Sequence, residues 1–93
     1  FYYEQDWPAA LAGFAAGVRA DPRSARARHW HATALMHAGR LPQALAEIDA
    51  AQRLDPQARA IRADKGFILF AAGRRREGLA VLSELAASDP EFN

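Results

Sequence analysis

The sequence predicts an all-α protein, an α-solenoid of antiparallel helix pairs with about five helices, and three observations carry that expectation. An Asp-Pro pair recurs at Asp21-Pro22, Asp55-Pro56 and Asp89-Pro90, each 34 residues from the next. Between these breaks the chain is dense in Ala, Arg and Leu, residues of high helix propensity. Glycine punctuates the intervals at Gly39 and Gly73, again 34 residues apart. A fixed period of this size marks stacked supersecondary units, each of which buries its apolar face only against a neighbour.

Overlaying residues 25–58 on 59–92 aligns Arg28 with Arg62, Leu35 with Leu69, Gly39 with Gly73, Leu45 with Leu79 and Pro56 with Pro90. Residues 1–24 overlie 35–58, aligning Pro8 with Pro42, Leu11 with Leu45 and Asp21 with Asp55. Residues 1–93 therefore read as one domain: the second half of a repeat (1–24), then two full repeats (25–58 and 59–92). The chain starts on Phe1, its single methionine is Met36, and it reads as an excised or processed piece of something longer.

The elements follow in order. The first helix is expected at 8–20, with Pro8 in its first turn, where a missing N–H has no partner to lose, and Asp21-Pro22 as its stop. The second is expected at 25–38, free of Pro and Gly, with the Ser24 hydroxyl placed to cap its first amides. Gly39 ends it, because glycine takes the left-handed C-terminal turn without steric cost. The third runs at 42–54 from Pro42, with Ala44, Leu45, Ile48, Ala51 and Leu54 at helical spacing on one face, and Asp55-Pro56 closes it. The same logic sets helices at 59–72 and 76–88, separated by Gly73 and closed by Asp89-Pro90.

Composition excludes several classes. With 51% apolar and 25% charged residues the chain is a folding one, and a net charge of +1 gives no general pull toward nucleic acid or an anionic membrane. Without cysteine there is neither disulfide nor thiolate metal site. No apolar run approaches the roughly 18–20 residues of a membrane span. Nothing in the residues decides the compartment.

The period, together with Ala10-x-x-x-Phe14 before Pro22, Ala44-x-x-x-Ile48 before Pro56 and Gly78-x-x-x-Leu82 before Pro90, resembles the tetratricopeptide repeat (TPR) family. Ala32 and Gly66 stand at the family's small position, and Phe1, Leu35 and Leu69 at its Tyr position. The chain departs from the family at its Trp position, held by Arg28 and Arg62, and at its Leu position, held by His31 and Lys65. Arg and Lys stems there cover apolar surface while their heads reach water. Within the family, "ARHWHATALMHAGRLPQALAEIDAAQRLDP" and "RADKGFILFAAGRR" are similar to the TPR regions of bacterial winged-helix transcriptional regulators and of TPR-bearing adenylate cyclases. That likeness implies a sensory or scaffolding segment of a signalling protein.

The resemblance implies a superhelix whose first helices line a concave surface and bind a protein or peptide partner. On 25–38 that stripe is Arg26, His29, Thr33, Met36 and His37, with Trp30 beside it; on 59–72 it includes Phe67 and Phe70, with Asp64 beside it. The expected groove takes a peptide or partner helix and centres on Met36, Phe67 and Phe70, since Met, Trp, Arg and Phe suit adaptable, hot-spot contacts. The plainer reading is that Phe67, Phe70 and Trp30 pack against neighbouring repeats. A second partner expectation is a homodimer: Phe1, Tyr2, Tyr3 and Trp7 crowd one end, and Leu79, Leu82 and Leu85 lie on a last helix with none following. The competing function is a spacer with no ligand of its own.

No enzyme, cofactor or metal is expected. His29, His31 and His37 are separated by two, six and eight residues, not the three or four that put ligands on one helix face. Glu47, Asp49 and Glu84 read as ordinary surface charges without a nucleophile beside them. The Arg74-Arg75-Arg76 run suits a solvated turn, or a phosphate or acidic partner, but lacks the broad basic face and stacking aromatics of a nucleic-acid binder.

Overall fold

The computed structural model describes residues 7–88, and within them the chain is all-helical with no strand. Five helices follow in order: α1 Trp7–Ala20, α2 Ala25–His37, α3 Leu41–Leu54, α4 Arg59–Ala71 and α5 Arg75–Ser88. Each boundary falls within one residue of its expected place. Phe1, Tyr2, Tyr3 and the last Asp-Pro pair lie outside the described residues.

The punctuation works as local chemistry. Gly39 and Gly73 are the described residues with positive φ, +82° and +87°, and each closes a helix with a paired turn. Arg40 N donates to Leu35 O at 2.8 Å and Gly39 N to Met36 O at 3.0 Å; Arg74 N donates to Leu69 O at 2.9 Å and Gly73 N to Phe70 O at 3.1 Å. These are Schellman closures, which satisfy helix-end carbonyls that would otherwise lack donors. The proline breaks also repeat: Ser24 N donates to Asp21 O at 3.0 Å and Ala58 N to Asp55 O at 3.2 Å, turning the chain with proline second. Ser24 Oγ then accepts from Ala27 N at 3.1 Å, the expected cap of α2.

Short Gly turns fold α2 onto α3 and α4 onto α5 as antiparallel hairpins. In the second, Arg59 at the start of α4 donates to Leu85 O near the end of α5, at 2.7 Å, while Gly66 in mid-α4 lies against Gly78 near the start of α5. A Cβ on Gly78 would sit 2.7 Å from Gly66 O, so these helices touch backbone to backbone. At the equivalent places of the first hairpin stand Ala32 and Ala44, both fully buried. Small residues at one point per hairpin are thus what bring the axes close.

The core is a continuous cluster of Leu11, Ala32, Ala34, Leu35, Ala44, Ile48, Ala51, Ile61 and Ile68, with Phe14, Met36 and Leu45 packed at its edge. Successive helices pack in chain order, and α2 also approaches α4. Among the described residues α1 and α3 make no close backbone approach, nor do α3 and α5. First helices are therefore nearer each other than second helices, and the array bends with α2 and α4 on its inner side. The result is elongated, 41 × 27 × 23 Å with a radius of gyration of 13.7 Å, against about 12 Å for a compact domain of this length.

One expectation needs correction. Of the leucines expected to lie uncovered on the last helix, Leu85 is buried and Leu82 is half-buried against Gly66; Leu79 alone of the three is exposed. The missing side chains at Gly66 and Gly78 let α5 settle deeply enough on α4 to cover them.

Candidate functional site

A cleft of about 420 Å³ opens in the angle between α1 and α2 and reaches across to α4. Ala10 and Phe14 of α1 form one wall, Trp30, Thr33, Ala34 and His37 of α2 the other, and His29 with Asp64 close the α4 end. Phe14 meets Trp30 in a T-shaped arrangement, ring centroids 6.3 Å apart and planes at 79°, a favoured aromatic geometry. Trp30 is 56% exposed. Thr33 Oγ1 donates to His29 O at 3.0 Å, so its hydroxyl is satisfied within α2. The His29 ring Nε2–H donates to Asp64 Oδ2, tying α2 to α4 across the inner side. Because a carboxylate only accepts, this bond places the ring proton on Nε2.

Of the nine site residues expected from sequence, the structure brings five into the cleft lining, His29, Trp30, Thr33, His37 and Asp64; Arg26, exposed one turn before Trp30 on α2, is not among the lining residues. The other three stand apart. Met36 packs against the core cluster, and Phe67 and Phe70 are exposed on α4 outside the cleft lining, Phe70 with the Arg75 guanidinium 5.5 Å from its ring centre. The cleft is therefore centred on Phe14 and Trp30 rather than on Met36, Phe67 and Phe70.

Sequence reasoning missed a polar cluster on the opposite side of α2. Glu47 of α3, with its side chain only 12% exposed, accepts from Arg28 Nη1 at 2.6 Å and from His31 Nδ1. Arg28 Nε also donates to Pro22 O at 2.9 Å. Glu47 is thus no ordinary surface charge. It holds the two basic residues that stand where the resembled family has Trp and Leu, so that an ion cluster joins α2 to α3 where an apolar contact was expected. The signal was present in the sequence: Arg28, His31 and Leu35 form one stripe of α2, and polar heads on a core-facing stripe require a buried partner. Asp49 also departs from that expectation. Lys65 Nζ lies 2.9 Å from Asp49 Oδ1 and 3.2 Å from Gln52 Oε1, joining α4 to α3. Oδ1 is shielded from water without a well-aligned hydrogen bond, so the ammonium charge is what compensates it.

In the arginine run, Arg74 grips Glu77 with both Nε (2.7 Å) and Nη2 (2.8 Å). That bond holds the Glu77 carboxyl below its ordinary value and raises Arg74. Among the described residues no group of three or more His, Cys, Asp or Glu is placed to hold a metal ion, and no helix is long and apolar enough to cross a membrane.

No protein-family model matches the chain, and comparison with curated proteins returns no match.

Proposed function

We propose that the chain is a TPR-like segment acting as a protein–protein interaction module of a larger bacterial signalling or transcription-regulating protein, with a partner helix seated in the cleft between α1 and α2. The observation that carries this reading is the repeat itself. Ala44, Ile48 and Ala51 of α3 are fully buried in the core shared with α2, and at the same places of α5 Gly78 and Leu85 are buried and Leu82 is half-buried against Gly66 of α4. At the same three places α1 carries Ala10, Phe14 and Gly17, of which the first two are half-buried and the third is exposed. So α1 presents the face that each other second helix uses to receive a first helix. The ligand that suits it is an amphipathic helix running antiparallel to α1, with a small residue followed three later by leucine, as in Ala32-x-x-Leu35 and Gly66-x-x-Leu69.

The test is a titration of the Trp7→Phe chain, whose remaining tryptophan is Trp30, with a synthetic peptide of residues 59–74. A saturable change in Trp30 emission, weakened at least about tenfold by Ala10→Arg, supports the proposal. An emission unchanged at millimolar peptide refutes it and favours the spacer reading. A second reading, self-association as a homodimer, draws on Phe67 and Leu79, 52% and 53% exposed on the second hairpin. Sedimentation that stays monomeric at high concentration excludes it.

A further inference from the structure

The outer side of the molecule carries a second and larger cavity, a trough of about 690 Å³ between α1 and α3. Its floor is Arg28, His31 and Leu35 of α2, and its walls are mostly small: Ala12 and Ala15 of α1 face Ala46 and Ala50 of α3. Arg40 and Arg53 stand at its two ends, flanking α3. Within it the Glu47 charge is already met by Arg28 and His31. Arg40 and Arg53 have no side-chain partner among the described residues, so the trough has an unmet positive charge at each end and a neutral, apolar middle.

We infer that this trough binds an extended, acidic protein segment, with a carboxylate held by Arg40 at one end, a carboxylate held by Arg53 at the other, and small apolar residues between. Thirteen helical steps separate the two arginines, about 20 Å along α3. An extended chain covers the same distance in about six residues. Guanidinium forks match carboxylates in geometry and charge. A phosphate backbone fits less well, because it would carry charge along the alanine walls between the two arginines. The site is on the other side of α2 from the helix cleft and stands independently of it.

The test uses the full chain at low ionic strength and dye-labelled peptides of about seven residues, with glutamate at both ends and alanine and leucine between. A lysine-ended peptide of the same interior and a short single-stranded oligonucleotide serve as comparators. The expected result is binding of the glutamate-ended peptide at least about tenfold tighter than either comparator. R40Q/R53Q should remove about tenfold or more of that affinity with an unchanged melting midpoint. R19Q, which removes the arginine of α1 equivalent to Arg53 but outside the trough, should leave it unchanged. R40E/R53E should acquire the lysine-ended peptide, a gain that unfolding cannot mimic. Absence of binding, equal binding by R40Q/R53Q, an equal loss in R19Q, or preference for the oligonucleotide overturns the inference.

Discussion

Ser24 and Ala58 stand at the same point of the repeat with nearly the same backbone, φ/ψ of −84°/108° and −71°/112°, yet only Ser24 has an oxygen to cap the helix that follows. The two hairpins differ this way throughout. The α4–α5 crossing is Gly66 on Gly78, where the first hairpin has the fully buried Ala32 and Ala44. Glu47 clamps two basic residues in the first hairpin, while Val81 occupies its place in the second. The lesson is that turn geometry and small-residue crossings carry the repeat, while the side chains between them are free to become a clamp, a cleft wall or an exposed aromatic. In α2 that freedom supplies Trp30 and His29 to the cleft; in α4 the same places hold Asp64 and Ala63.

The largest break in the comparison comes from the core. Ile48→Ala should cost about 2–5 kcal/mol, since Ile48 is fully buried in the cluster that joins the hairpins. Leu82→Ala, its half-buried equivalent, should cost at least about 1 kcal/mol less by chemical denaturation. The crossings come next. Gly78→Ala, whose Cβ would meet Gly66 O at 2.7 Å, should cost about 1–3 kcal/mol by prying α5 from α4. Ala44→Gly, which removes bulk instead, should cost about 1 kcal/mol. Glu47→Gln removes the charge that Arg28 and His31 share and should cost about 1–3 kcal/mol by chemical denaturation.

The caps sharpen the comparison with a smaller effect. Ser24→Ala should lower stability by about 1 kcal/mol and Ala58→Ser should raise it by up to as much, making the hairpins alike. The smallest effect is electrostatic and confined to the second hairpin. The Arg74 bond lowers the Glu77 carboxyl from its ordinary 4.5, so its contribution is present above the unfolded value and is lost as pH falls through the folded one. An NMR titration of Glu77 should give a midpoint below 4.5 that Arg74→Gln returns toward it.

Much of the fold was legible because its signals are local. Asp-Pro, Ser24 and Gly39 each act within a turn of their own position, so one chain was enough to set five helices to within a residue. The cleft was partly legible, since Trp30, His29 and Thr33 share a stripe of α2. Its true centre was not, because Phe14 reaches Trp30 only through the packing angle of α1 on α2, which no local pattern encodes. Glu47 was missed for a related reason: a carboxylate becomes a clamp through the residues opposite it, here Arg28 and His31 of α2, and no local pattern encodes which residues of α2 face α3.

The central claim is that the α1 face bearing Ala10, Phe14 and Gly17, the counterpart of the α3 face packed on α2, receives a partner helix. Amide chemical-shift mapping of the full chain with the peptide of residues 59–74 tests it directly. Shifts concentrated at Ala10, Phe14, Gly17, Trp30 and Thr33 are the expected result. Shifts confined to Phe67, Phe70 and Leu79, or none at saturating peptide, would contradict it.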